Sequence, residues 1–386
     1  MDPVNHVIHS ARLIDGGRET PDAWLVVRGG RVEAHGTGDT WRGAVAGAPV
    51  DEIVDAVEAA GPGATITPGF IDIHGHGGGG AAYDDGADAI RTARDLHRAH
   101  GTTRAVISLV TASVDDLARR VSAIADLTET DGTVLGSHLE GPFLDLGHHG
   151  AHDPGLLIAP ASDAVARLMD AGRGTVRQVT IAPELPGALA AIERIVAAGA
   201  AAAVGHTDAD AETTRAAFDA GATILTHAFN AMPGLHHREP GPIGAATADP
   251  RVTLEVIADG VHLAPEVVRI AFAAAPGRIA LVTDAMAAAG SADGDYVLGA
   301  LAVRVENTVA RLLDGTIAGS TLTQDAALRT AVAAGVDLPA AVTALTTTPA
   351  QAIGRPELGS LAIGSPADAV LLDADLVVRR VWTGCA

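Results

Sequence analysis

Eight short apolar runs, most of them followed by a longer Ala-rich stretch with a helical repeat, govern what this chain can fold into. The runs are Ile66 to His76, Thr103 to Val110, Val134 to Glu140, Val176 to Glu184, Ala201 to Asp208, Thr223 to Asn230, Val252 to Asp259 and Ile279 to Asp284. Runs of this length bounded by turn residues read as buried strands. The stretches between them open on helix-start residues, such as Ser113-Val114-Asp115-Asp116 before Leu117 and Asp208-Ala209-Asp210 before Ala211. Strand and helix alternating in this way predict an α/β chain built on a closed parallel (β/α)8 barrel of the TIM type.

The two ends differ from this middle. Residues 1–62 hold short strand-like runs separated by Asp15-Gly16-Gly17 and Gly29-Gly30, and residues 351–386 return to strand character from Ala369 to Trp382. We expect both ends to build one small β-sandwich domain beside a barrel over residues 63–350. Before the tail come β-like runs around Tyr296 to Arg304 and Val309 to Leu313, then helices over Leu322 to Ala334 and Val342 to Ile353. His6, His9 and His35 belong at the surface or at strand edges in this scheme. His97 and His100 face solvent on their helix, and His148, His149 and His236 are surface residues.

A barrel gathers the C-terminal ends of its strands at one mouth. His74 and His76 end the first run, His138 and Glu140 the third, His206 the fifth, His227 the sixth and Asp284 the eighth. Side chains alternate along a strand, so His74 and His76 should share a side, and the glycines from Gly77 onward let the chain turn away. Any one of these could be a polar strand cap. Seven at one rim predict a shared site for a divalent metal held by nitrogen and oxygen donors.

Composition narrows the chemistry further. The 386 residues include no lysine, which excludes Schiff-base catalysis, a pyridoxal-phosphate attachment, a P-loop lysine and a carbamylated lysine bridging two ions. A bridging ligand has to be a carboxylate or water. The net charge of −21 argues against nucleic acid or an anionic membrane as partner, and no run of about 18 uncharged apolar residues is present. The single cysteine, Cys385, cannot form an internal disulfide and fits a reducing cytoplasm.

The motifs Pro68-Gly69-Phe70-Ile71-Asp72, His138-Leu139-Glu140-Gly141-Pro142-Phe143, Gly205-His206-Thr207, His227-Ala228-Phe229-Asn230-Ala231-Met232-Pro233, Asp259-Gly260-Val261-His262 and Thr283-Asp284-Ala285 resemble those of the N-acetylglucosamine-6-phosphate deacetylase family, in the amidohydrolase superfamily. The likeness covers nearly the whole chain, including the Gly-Ser-Pro-Ala-Asp tail at 364–368. It implies hydrolysis of the acetyl group of N-acetylglucosamine 6-phosphate, in amino-sugar catabolism and cell-wall recycling. It also implies that Glu140, His206 and His227 hold the main metal, with Asp284 beside it as general acid/base. Some members carry Gln and Asn in place of the first two histidines and bind one ion. Here His74 and His76 allow a second, with Glu140 bridging. Zn2+ is the first expectation, Fe2+ or another transition metal the alternative.

By the same resemblance Asn230, Ala231 and His262 contact the sugar, Ala151 and His152 reach over it, and Ile317, Ala318 and Gly319 line it. Arg238 takes the phosphate, in the family often from the neighbouring subunit of a homodimer. The residues themselves support a metal-activated water, proton transfer by Asp284 and oxyanion stabilisation by His152 or His138. Two other classes stay open: another amidase or deacylase of the superfamily acting on a related amide, and a non-catalytic metal- or sugar-binding protein.

Overall fold

The structure is a computed structural model that describes residues 5–47 and 49–384, so Cys385 lies outside the described residues. Among these residues eight parallel strands pair in chain order: Phe70–Asp72, Thr102–Val110, Val134–Glu140, Val176–Ile181, Ala201–Val204, Ile224–Leu225, Thr253–Val256 and Ile279–Leu281. Helices pack outside them, which buries the strands on both faces and explains why the runs are continuously apolar rather than alternating. All nine residues of Thr102–Val110 are buried. The helix Val114–Thr128 turns Leu117, Val121, Ile124 and Ala125 inward, and the expected helix starts hold: Ser113 Oγ accepts the N–H of Asp116 at 3.1 Å and Asp210 Oδ1 that of Thr213 at 2.8 Å.

The ring closes differently at its seam. No ladder joins the eighth strand to the first among the described residues. Side chains and the backbone just past the two strands do it instead: Gln324 Nε2 donates to the carbonyls of Ile71 (3.0 Å) and Leu281 (3.2 Å), Thr283 Oγ1 donates to Asp72 Oδ2 at 2.6 Å, and the N–H groups of Asp284 and His76 donate to the carbonyls of His74 (2.8 Å) and Ala285 (2.7 Å).

Both chain ends build a second sheet, ordered Val378–Trp382, Ala369–Leu372, Thr65–Pro68, His6–Asp15, Arg18–Arg28 and Arg31–Thr37, with Glu52–Asp55 also on His6–Asp15. The run Ile66 to His76, expected as one strand, is therefore two. Thr65–Pro68 lies antiparallel to Ala369–Leu372, whereas Phe70–Asp72 starts the barrel. The break falls at Gly69, where a Cβ would sit 2.2 Å from Thr103 Oγ1. Three antiparallel strands, Gly294–Leu298, Leu301–Glu306 and Val309–Leu312, pack over Val110, Ala151 and Met286 near the barrel mouth. The helix expected over Val342 to Ile353 is broken into Leu338–Leu345 and Thr347–Ala352.

Two histidines expected at the surface are buried. His97 sits on the buried stripe Ile90, Ala93, Arg94 of its helix, with Nε2 2.9 Å from the Gly77 carbonyl oxygen. His6 stacks on Trp382 between the two ends of the terminal sheet. His100 is half-exposed and meets Asp325 at 3.0 Å.

Candidate active site

The strand ladders stop short of most residues expected at the rim. Glu140 and His138 lie within their strand, but the fifth, sixth and eighth ladders end at Val204, Leu225 and Leu281. His206, His227 and Asp284 follow on the connecting loops with φ of 47°, 27° and 48°. Left-handed backbone at a non-glycine residue costs on the order of 1–3 kcal/mol, and here it bends three side chains into the mouth. His74 and His76 also lie beyond their strand, so alternation is not what unites them. Asp72 fixes the bend, its Oδ1 accepting the N–H groups of His74 and Thr283, both at 3.3 Å.

Five imidazoles and two carboxylates converge there. Glu140 Oε1 is 3.2 Å from Nε2 of His74, of His206 and of His227. Its Oε2 is 3.0 Å from His76 Nε2 and 3.4 Å from His152 Nε2. Asp284 Oδ1 lies 3.3 Å from His76 Nε2 and 3.6 Å from His74 Nε2. All seven residues are at most 9% exposed.

The protons are directed away from this point. His206 Nδ1 lies 2.9 Å from the His148 carbonyl oxygen, which only accepts, so His206 Nε2 carries a lone pair. His74 Nδ1 faces Glu255 Oε2 at 2.9 Å, and His74 Nε2 is buried with no hydrogen-bond partner. Imidazole nitrogens and carboxylate oxygens packed this closely could hold a divalent cation. The donors fall into two groups sharing Glu140: His74, His76 and Asp284 on one side, His206 with His152 on the other, and His227 only 2.9 Å from His206.

Charge in the cluster follows from these contacts. Burial works against ionisation throughout. Against it, Asp284 and Glu140 raise His76 to about 9, while His74 and His76 hold Asp284 at about 2. Burial likewise opposes charge on Glu140, yet His74 and the other imidazoles around it take it well below the carboxylate range. Opposite charges here serve as one another's counterions, the role a bound cation would take over. His152 is different. Burial lowers it to about 4, and Thr111 N–H approaches its Nδ1 at 3.4 Å, so the neutral ring turns Nε2–H toward the site.

His138 does not reach the substrate side. Both its nitrogens are occupied, by Ser108 Oγ and Thr180 Oγ1 at 2.8 Å each, and it packs edge-on beneath His74. Of the two histidines expected to meet an oxyanion, His152 faces the cavity above the cluster and His138 does not.

Above the cluster is a cavity of about 450 Å³ whose wall includes Ala151, His152, Asn230, Ala231, His262, Ile317 and Gly319. Ala318 packs instead into the core of the three-stranded sheet. His148 and His149, expected at the surface, also line the wall. His262 is held by Asp259, Nδ1 to Oδ2 2.7 Å. Arg238 is exposed, and among the described residues no arginine lines this cavity.

The sequence profile of the Amidohydrolase family matches residues 65–384, which takes in the barrel, the site and the returning tail. The chain belongs to the amidohydrolase family. Within it, the N-acetylgalactosamine-6-phosphate deacetylase of Escherichia coli O157:H7 is 39% identical over 323 residues, 82% of this chain and 86% of that protein. The N-acetylglucosamine-6-phosphate deacetylase of Vibrio furnissii is 34% identical over 82% of this chain and 81% of its own. The crystal structure of N-acetyl-D-glucosamine-6-phosphate deacetylase from Mycobacterium smegmatis superposes with a TM-score of 0.90 at 45% identity, covering 98% of both chains.

Reading the sequence of this amidohydrolase missed the layer beneath the ligand groups. Glu255, Gln178 and Asp72 are buried, and each contacts a mouth residue or one of its supports. The signal was present as a polar side chain inside an otherwise apolar run, most plainly the acid in Val252 to Asp259.

Proposed function

We propose that this amidohydrolase removes the acetyl group from N-acetylglucosamine 6-phosphate, giving acetate and glucosamine 6-phosphate in amino-sugar catabolism and cell-wall recycling. The observation that carries the reading is the Glu140 carboxylate shared by four imidazole nitrogens at 3.0–3.2 Å on the floor of a cavity sized for a hexose phosphate. Deacetylases of acetylated hexosamine 6-phosphates among its relatives support the substrate class.

In this reading Glu140, His206 and His227 hold one divalent ion, and His74 and His76 with Asp284 hold a second, Zn2+ being the simplest choice. Bound there, such an ion supplies Lewis-acid polarisation of a carbonyl and lowers the pKa of water. The remaining work falls to side chains. Asp284 takes a proton from the water that attacks the acetyl carbon and passes it to the amide nitrogen, which leaves as an amine only when protonated. His152 directs Nε2–H at the carbonyl oxygen as charge grows on it. His262 and Asn230 meet the sugar hydroxyls, with Ala231, Ile317, Ala318 and Gly319 shaping the space around them.

The phosphate calls for a guanidinium, and among the described residues no arginine lines the wall. Arg238 of a second copy answers this, its planar fork suited to a phosphate dianion. We therefore read the enzyme as a cytoplasmic homodimer with shared sites. Among the described residues no helix is long and apolar enough to cross a membrane. Mixing Arg238→Ala chains with Asp284→Asn chains should recover activity that neither has alone, since one of the two mixed sites is then intact; no recovery would overturn the shared-site reading.

Acetate release measured on four compounds tests the whole assignment: the acetylated amino sugars of gluco and galacto configuration, each with and without the 6-phosphate. The phosphorylated gluco compound should turn over fastest. Equal rates with and without phosphate would point to another amidase of the superfamily, and no release from any would favour a binding protein. A faster phosphorylated galacto compound would favour a second reading, deacetylation of N-acetylgalactosamine 6-phosphate, to which the 39% identity with the Escherichia coli relative lends weight.

A further inference from the structure

Glu255 lies in the seventh barrel strand, Thr253–Val256, and its side chain is fully buried. An acid in a strand packed on both sides needs partners within reach, and those of Glu255 lead to the mouth. Its Oε2 faces His74 Nδ1 at 2.9 Å and also accepts the backbone N–H of His227 at 3.2 Å. Its Oε1 accepts from Gln178 Nε2 at 2.7 Å. One carboxylate thus holds the ring of a donor from one group and the backbone of a donor from the other.

The four imidazoles nearest Glu140 are backed unequally. His206 Nδ1 meets a carbonyl oxygen, and the Nδ1 atoms of His76 and His227 have no hydrogen-bond partner. His74 alone of the four has a carboxylate behind it. With its proton held on Nδ1, its Nε2 turns a lone pair toward Glu140 and Asp284. Two divalent ions would bring four positive charges to a pocket where Glu140 and Asp284 supply two negative ones. Glu255 supplies a third, out of contact with solvent and so little screened.

We propose that Glu255 is the positioning residue for the half of the centre formed by His74 and His76: it fixes the tautomer and direction of His74, and a second cation is retained only while it is present. The inference rests on the reading that the mouth holds divalent cations.

The test is Zn2+ uptake by the chelator-stripped full-length protein, followed by calorimetric titration and elemental analysis. Wild type should take up two equivalents. Glu255→Leu should keep the first and lose affinity for the second by about 10- to 100-fold, the usual effect of removing a partner behind a metal-ligating histidine. Glu255→Gln, which keeps an acceptor oxygen but not the charge, should fall between the two. Glu255→Leu also leaves the His227 N–H and Gln178 Nε2 unmatched, so the stripped protein should melt lower on either view; a merely structural role would weaken both ions alike, whereas the proposal weakens the second clearly more than the first. Adding Glu255→Leu to His74→Ala should cost less at the second ion than Glu255→Leu costs alone, because the contact with the ring is already gone. If Glu255→Leu does not fold, the Gln variant decides by the same criterion.

Variants that bind both ions as wild type does would overturn the proposal. So would a wild type that holds one ion and still releases acetate, which leaves the deacetylase reading intact. A wild type that binds no ion and releases no acetate would overturn that reading and this inference together.

Discussion

Two buried polar clusters, one at the barrel mouth and one where the barrel meets the terminal sheet, differ in a way that separates function from architecture. At the junction the Arg104 guanidinium, 1% exposed, donates twice to Asp368 (2.5 and 3.2 Å) and to the carbonyls of Gly132 and Gly384. Asp368 in turn accepts the N–H of Gly384 at 2.8 Å, and its carbonyl accepts that of Gly69. Donors and acceptors are matched, so the cluster is complete without anything from outside. At the mouth, by contrast, imidazole nitrogens face one another, and atoms of His74, His76 and His227 are buried without partners. Of these atoms His74 Nε2 points into the cluster, where a bound cation would meet it.

Substitutions at the two clusters should therefore fail in different assays. The largest effect is expected for Asp284→Asn, which removes the carboxylate proposed to move the proton. Acetate release should fall by roughly 10³- to 10⁴-fold, while Glu140, His206 and His227 still take up metal on elemental analysis. Turnover within tenfold of wild type would mean that the mouth does not transfer protons through Asp284. At the junction, Asp368→Ala leaves a buried guanidinium unpaired, which costs about 3–5 kcal/mol. Urea unfolding should show this loss, with turnover per folded molecule close to wild type. An unchanged urea midpoint would mean that the matched cluster does not hold the two domains together.

How much of each cluster could be read in advance depended on distance along the chain. The barrel was legible because burial on both faces writes each strand as a continuous apolar run, and the mouth because its residues are histidines and acids at the ends of those runs. The seam was not. Thr65–Pro68 and Phe70–Asp72 form one apolar run, and only the packing of Gly69 on Thr103 shows that the chain changes sheets there. Glu255 and Asp72 were missed for a related reason. Glu255 meets His74 from 181 residues away and Asp72 meets Thr283 from 211, contacts that only the closed barrel brings about. His97 was legible and misread. Its spacing from Ile90, Ala93 and Arg94 places it on the buried stripe, but a polar residue in that position was assigned to solvent.

His97 also tests the comparison, because it is matched on one nitrogen and not on the other. Its Nε2 meets the Gly77 carbonyl, its Nδ1 has no partner, and it lines no cavity described here. Burial, aided by nearby Arg94, lowers it to about 4 from 6.5, although the Gly77 carbonyl opposes the shift. Between those values the unfolded chain binds the proton and the folded chain does not. Its stabilising contribution is complete above about pH 6.5 and is lost as pH falls toward 4, at up to about 1.4 kcal/mol per pH unit. The unfolding free energy of wild type should therefore drop more steeply through this window than that of His97→Gln, whose amide can still donate to Gly77. Parallel curves would show that the imidazole is charged in the fold.

The smallest effect belongs to a matched bond at the surface. Ser113 caps the helix Val114–Thr128 directly after the second barrel strand, accepting the N–H of Asp116, and its own hydroxyl proton goes to Asp116 Oδ2 at 2.6 Å. Replacing it with alanine leaves one helix N–H to water rather than to a buried void, so the penalty is the ordinary one for a cap, about 1 kcal/mol. In a chain of this size that lowers the thermal midpoint by only a degree or two. Turnover should not change, because the helix axis is held by Leu117, Val121 and Ile124 in the core and not by its first bond. A fall in acetate release from Ser113→Ala with the midpoint unmoved would show that the loop between Val110 and Ser113, whose Thr111 N–H approaches His152, passes strain into the site that satisfied hydrogen bonding was expected to contain.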